Sequence, residues 1–341
     1  MVEWKPDAAG GADPDRTIDK EASNGMQKLG ASELSIFPLT LGGNTFGWTS
    51  DEAESQKVLD AFVEQGGNLV DTADSYSAWV PGNSGGESEA IIGRWLARRG
   101  RRDDVLIATK VAQHPDYRGL APANINAAVE QSLARLGTEH IDLYYAHEHD
   151  PHTPIAETAA AFDALVKAGK VRYIGLSNFP ADKIDEWLRI AAEESLASPV
   201  ALQPKYNLVA RDEFEGELAD SAARHGLGVL PYFGLAAGFL TGKYRSPQDL
   251  EGQARGGMAQ RFLSEQGLAV VDALDEVAQE TGRQIPTVAL AWLRHQPTVV
   301  APIASARTVE QLPALMASAT LQLNDLQLQR LDAVSSALGA D

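Results

Sequence analysis

Not one of the 341 residues is a cysteine. That excludes disulfides and thiolate metal sites, and it suits a reducing, cytoplasmic setting. Basic residues are scarce beside acidic ones: 29 Lys and Arg stand against 47 Asp and Glu, a net charge of −18. Such a chain repels nucleic acid and anionic lipid at long range, so neither is expected as a partner. Long apolar runs are missing too. The longest uncharged stretch, GLGVLPYFGLAAGFLTG (226–242), carries a proline and several glycines and is too short to span a bilayer. The N-terminus lacks the charged-then-apolar pattern of a secretory leader. Residues 1–25 are polar, aperiodic and rich in Gly, Pro and Asp, which predicts a mobile tail ahead of a single domain over 26–341.

What is present alternates regularly. Eight β-like runs are IFPLTLG (36–42), NLVDT (68–72), VLIATK (105–110), IDLYYAH (141–147), VRYIGLS (171–177), PVALQPKY (199–206), LGVLPY (227–232) and TVVAPI (298–303). Between them lie segments of helical period, such as 123–137, where Ile125, Val129, Leu133 and Leu136 form one face. Eight strands, each followed by a helix, predict a closed parallel (β/α)8 TIM barrel. A doubly wound sheet is the competing reading, but no Gly-x-Gly-x-x-Gly follows an early strand.

The runs end on chemistry. Asp71 closes the second, Lys110 the third, His147 the fourth, and Ser177 with Asn178 the fifth; Gln203 lies in the sixth and Tyr232 closes the seventh. A single polar strand end is ordinarily the start of a loop. Six in succession at the C-terminal rim, where barrel active sites sit, point to a shared site. Tyr76 lies five residues beyond Asp71. A phenol, with a pKa near ~10, is a poor acid at neutral pH. A neighbouring ammonium favours the phenolate and should lower that pKa, a carboxylate should hold the ammonium, and an imidazole can orient a carbonyl. Tyr76 is thus read as general acid, Lys110 as its tuner, Asp71 as anchor and His147 as orienter. The accompanying hydride must come from a nicotinamide, since no side chain supplies one.

The motifs NLVDTADSYS, GESEAIIGRWL, SLARLGTEHIDLYYAHEHD, GKVRYIGLSNF, QPKYNLVAR, LAAGFLTGKY and APIASARTVEQL, in this order, resemble the aldo-keto reductase family from Met26 to about Leu338. The resemblance implies a TIM barrel that reduces aldehydes or ketones with NAD(P)H through Asp71, Tyr76, Lys110 and His147. It implies cofactor contacts from Gly42, Gly43 and Asn44 on the first strand-to-helix loop, and from Ser177, Asn178 and Gln203 on the nicotinamide carboxamide. It further implies a stacking Tyr232, then Leu235, Gly238 and Lys243 along the pyrophosphate, and Ser305, Arg307 and Gln311 at the adenosine end. Three departures stand out: Phe233-Gly234 where Ser-Pro is usual, Ser305 where Gly is usual, and Ala314-Leu315 where an acid and Asn are usual. Arg307 ahead of a helix start, with no acid from Ser305 to Thr308, favours NADPH over NADH.

Trp48, Trp79 and His114 are expected to line the substrate pocket, finished by the loops 76–88, 111–122 and 244–262. Asp74 and Glu87 read as solvated or helix-capping acids. His147, His149 and Asp150 could instead suggest a metal-dependent barrel hydrolase, but no acid-rich last strand completes a site, so no metal is expected. A cofactor-binding channel subunit is the remaining alternative. Monomer is the default for the fold.

Overall fold

A computed structural model describes residues 25–336. The tail expected over 1–25 lies, save Gly25, outside the described residues. The barrel strands are β1 (Thr40–Gly42), β2 (Leu69–Asp71), β3 (Leu106–Val111), β4 (Ile141–Ala146), β5 (Val171–Ser177), β6 (Pro199–Gln203), β7 (Gly228–Val229) and β8 (Ile303–Ala304). Each pairs in parallel with its sequence neighbour from β1 to β7, and β8 pairs with β1. Closure comes ahead of β8. The Val229 N–H donates to Thr298 O at 2.9 Å, Val300 N–H returns to Val229 O at 2.9 Å, and Ile303 N–H reaches Pro231 O at 2.9 Å.

Prolines set the strand lengths. Pro204 ends β6, and Pro231 and Pro302 interrupt the ladders around β7 and β8, because proline brings no N–H to a ladder. The run 36–42, expected as one strand, is cut at Pro38. Thr40–Gly42 enters the barrel, whereas Ser35–Ile36 pairs antiparallel with Gln27–Lys28 in a hairpin absent from the sequence reading. That hairpin stoppers the N-terminal end of the barrel. Leu29, Leu34 and Ile36 are buried in the interior core with Leu69, Leu143 and Ala201. The amide of Asn68 donates to Ser35 O at 2.9 Å and its Oδ1 accepts Phe37 N–H at 2.8 Å.

Helices α1 (Glu52–Glu64), α2 (Glu87–Arg99), α3 (Pro122–Leu136), α4 (Ile155–Lys167), α5 (Ala181–Glu194) and α6 (Glu217–Arg224) surround the sheet. Their apolar faces form the second, larger core against the outer side of the strands. After β7 the simple alternation breaks. A 3-10 turn (Ala236–Thr241), a long loop, α7 (Glu265–Thr281) and α8 (Ile285–Arg294) precede β8, and α9 (Leu312–Met316) and α10 (Asp325–Ser336) follow it. Among the described residues no helix is long and apolar enough to cross a membrane.

Candidate active site

The C-terminal rim gathers one polar side chain after another because each parallel strand ends at the same face. Lys110, fully buried on β3, is the hub. Its ammonium donates to Asp71 Oδ2 at 2.7 Å, to Thr72 O at 2.7 Å and to Tyr76 Oη at 3.0 Å. All three N–H groups are therefore used, and the phenol oxygen is an acceptor in that bond. The Tyr76 hydroxyl is 3.5 Å from Asp71 Oδ2, too long for a strong O–H bond, so its proton is available to the cleft. Asp71 Oδ1 accepts from Gln203 Nε2 at 2.9 Å.

Burial pushes the Tyr76 phenol above its ordinary value, and the Asp71 carboxylate adds to this; Lys110 pulls the other way without reversing the direction. A phenol lowered by its lysine was the sequence expectation. The difference arises because withdrawing a group from water penalises its charged form, which a motif does not reveal. Burial also opposes the Lys110 charge, but Asp71 and Tyr76 outweigh it and hold the ammonium above the usual lysine range. His147 follows β4, its ring centroid 6.2 Å from that of Tyr76. Burial and then the Lys110 charge push its pKa well below the ordinary value, so it stands neutral. Its Nδ1 is buried with no hydrogen-bond partner among the described residues.

Ser177, Asn178, Gln203 and Tyr232 form one connected network. Tyr232 donates to Asn178 Oδ1 at 2.9 Å, Asn178 Nδ2 to Ser177 Oγ at 3.1 Å and to His147 O at 2.9 Å, and Ser177 Oγ to Gln203 O at 2.9 Å. Burial carries the Tyr232 phenol up to about 12.

Residues 38–336 match the Aldo/keto reductase family. The chain belongs to the aldo/keto reductase family. It is 35% identical over 323 residues to the protein named uncharacterized oxidoreductase YrpG of Bacillus subtilis, covering 92% of this chain and 96% of that one. It is 33% identical over 320 residues to norsolorinic acid reductase B of Aspergillus parasiticus, covering 89% and 81%. A probable voltage-gated potassium channel subunit beta of Arabidopsis thaliana is 32% identical over 298 residues, covering 84% and 88%. The family is one of oxidoreductases built on the (β/α)8 barrel, the architecture found here.

A cleft of about 380 Å³ runs from Asp71 and Tyr76 past Tyr232 toward Ala314 and Leu315. Gly42 and Asn44 form one side, Leu235, Gly238 and Lys243 another, and Ser305, Arg307 and Gln311 the far part. The family departure at Ser305 is accommodated locally: a Cβ on Gly42 would lie 2.6 Å from Ser305 Oγ, which instead donates to Asn44 Oδ1 at 2.6 Å. Gly43 is bare for a similar reason, with Ser88 Oγ at 2.8 Å from where its Cβ would stand. The departure at Phe233-Gly234 coincides with backbone strain, since Phe233 and the nearby Ala236 and Ala237 all take positive φ (64°, 47° and 58°). Where a helix start was expected after Arg307, only a 3-10 turn (Val309–Gln311) precedes the short α9, so little macrodipole is available.

Other expected residues divide. Trp48 and Trp79 meet edge to face at 5.5 Å, with Trp79 against Tyr76, but neither is among the residues that line the cleft. His114 is buried, its Nδ1 accepting Asp116 N–H at 3.1 Å and its ring against Tyr117 at 5.2 Å; it does not line the cleft. His149 packs on Phe179, and Asp150 accepts the Leu120 and His152 N–H groups, so the HEHD run serves separate duties. Among the described residues no three His, Cys, Asp or Glu side chains come together as a metal ion needs. One residue escaped the sequence reading: Arg255, on the loop 244–262, reaches Asn44 Oδ1 at 3.3 Å and lies 5.3 Å over the Trp48 ring. A lone Arg in a Gly-rich loop carries no periodic signal.

Glu87 stands in the first turn of α2, but its carboxylate accepts the Ser84 and Gly85 N–H groups of the preceding loop, at 2.7 and 3.1 Å, rather than capping the helix. Asp74 is neither solvated nor a helix cap. It is fully buried, and both oxygens lack hydrogen-bond partners among the described residues. Burial, then the Glu89 charge, push its pKa well up. A group that binds its proton more tightly when folded contributes stability at low pH that is lost as pH rises above its unfolded value, about 3.9. Asp74→Asn should remove that loss: the fall in melting temperature between pH 5 and pH 8 will be smaller in the variant than in the wild type. Equal falls would show that Asp74 titrates normally.

Proposed function

We propose that this oxidoreductase reduces an aldehyde or ketone to an alcohol with NADPH, the proton coming from Tyr76. The observation that carries the reading is the buried ammonium of Lys110, which holds the Tyr76 oxygen as an acceptor and leaves the phenol proton to the cleft. A nicotinamide dinucleotide supplies the hydride when bound. Its fit to this chain rests on the cleft's volume and on Lys243, Arg255 and Arg307, three cations that line it without a carboxylate partner among the described residues. Gly42, Gly43, Asn44, Leu235 and Gly238 give close backbone approach, Ser177, Asn178 and Gln203 offer amide and hydroxyl groups, and Tyr232 offers a ring face.

The roles follow from placement. Tyr76 stays protonated through neutrality because burial raises its pKa, and so it is a donor at working pH. Neutral His147 donates one N–H to orient the carbonyl oxygen without adding charge. Asp71, fixed by Gln203, holds Lys110, and Lys110 stabilises the phenolate left after proton transfer. The absence of cysteine favours a cytoplasmic setting, with a small carbonyl compound as the partner.

The test is NADPH consumption across a panel of aldehydes and ketones. Binding of NADPH without turnover of any carbonyl would support a cofactor-sensing subunit instead. The cofactor assignment has its own test. A charge-assisted contact contributes about 1.5–3 kcal/mol, so Arg307→Ala should weaken NADPH by roughly 10- to 150-fold while NADH barely changes. Equal losses for both nucleotides, or tighter NADH binding in the wild type, would refute the 2′-phosphate role of Arg307.

A further inference from the structure

The loop between β2 and α2 presents an indole that the proton-transfer set does not use. Trp79 is 50% exposed, an unusual state for so large an apolar side chain. Isolated exposed aromatics are ordinary, but this one is built in. Its ring meets Trp48 edge to face, centroids 5.5 Å apart at 87°, and meets Tyr76 at 6.1 Å and 64°. Trp48 is backed in turn by the Arg255 guanidinium 5.3 Å over its ring. The backbone beneath is pinned to the β1–α1 loop that carries Trp48. Ser77 Oγ donates to Phe46 O at 2.8 Å, and Asn83 Nδ2 donates to Gly47 O at 3.2 Å and to Ser77 O at 3.1 Å. Ser77 itself is held at φ 71°. An indole held by two ring contacts on a pinned loop, yet half exposed, is a preorganised platform.

Resting on the carbonyl-reductase reading, we propose that Trp79 makes this site selective for carbonyls conjugated to a flat aromatic ring system. The carbonyl oxygen of such a substrate lies at Tyr76 Oη, and its ring continues outward along the adjacent indole. The π-face of Trp79 rewards a planar aromatic partner by stacking, at centroid spacings of about 4.5–7 Å. A puckered aliphatic ring of similar size meets the same surface without that interaction. The small polar face of a sugar chain gains least.

The experiment separates flatness from size. NADPH consumption is measured for 2-naphthaldehyde, cyclohexanecarbaldehyde and glyceraldehyde with wild type, Trp79→Ala and Trp79→Phe. Binding of the product alcohols, 2-naphthalenemethanol and cyclohexanemethanol, is measured alongside by calorimetry, independently of turnover. The expected result is a wild-type kcat/KM ratio favouring naphthaldehyde over cyclohexanecarbaldehyde, falling about tenfold in Trp79→Ala and largely restored in Trp79→Phe, consistent with the usual size of an aromatic-pair interaction. The affinity for 2-naphthalenemethanol should fall in parallel. A ratio unchanged by Trp79→Ala, or a wild type that prefers glyceraldehyde, overturns the proposal while leaving carbonyl reduction intact. Alcohol binding that depends on Trp79 in a protein that consumes no NADPH upholds the platform and sinks the reductase reading instead.

Discussion

Tyr76→Phe is expected to lower carbonyl reduction by about 10²–10⁴-fold, the usual contribution of a positioned acid. The ring should stay where it is, since its packing against Trp79 and its 4.7 Å approach to the Lys110 ammonium do not depend on the hydroxyl. What is lost is the proton and one of the three acceptors of Lys110. NADPH affinity should therefore be nearly unchanged, so the loss falls on kcat. Fluorescence titration and initial rates, run on the same preparation, separate the two. A variant that keeps half of wild-type turnover would remove Tyr76 from the acid role.

Lys110→Met should be damaging in two measurable ways. It leaves Asp71 buried without its cation, and deleting one partner of a buried pair commonly costs about 3–5 kcal/mol, which a denaturation curve will show. It also removes the one nearby charge that pulls the phenol pKa down, so that pKa should climb further. The reverse reaction, alcohol oxidation, requires the phenolate, and its alkaline rise should move to higher pH in the variant. An oxidation profile that overlays wild type would make Lys110 a purely structural residue, whatever its effect on stability.

The four residues proposed for catalysis were placeable at one rim because each follows a simple rule: three stand within one residue of the end of a parallel strand and the fourth on the loop after the second. The cleft residues were legible for the same reason, together with the order of motifs along the chain. What stayed hidden depends on tertiary burial. Asp74 sits in TADS, four residues that read as a solvated turn, yet the packing of Glu89 and Arg135 behind that turn encloses it. The direction of the Tyr76 pKa was misjudged because charge proximity is visible in a motif and desolvation is not. The run 36–42 looked continuous because its residues are mostly apolar; it divides at Pro38, and Asn68 holds the backbone on either side of Ile36, ahead of that proline.

Among the described residues, the hairpin Gln27–Ile36 leaves this barrel with a single open end. Its apolar residues fill the floor, which places the hairpin on the side opposite the rim that carries Tyr76 and the cleft. Attachment to a bead, an electrode or a fused enzyme through a residue of this hairpin would therefore orient each molecule with its mouth toward the solution. Exchange through the cleft would proceed unobstructed, while the same attachment made through the loop 244–262, whose Gln253, Ala254 and Arg255 line the cleft, would crowd its mouth.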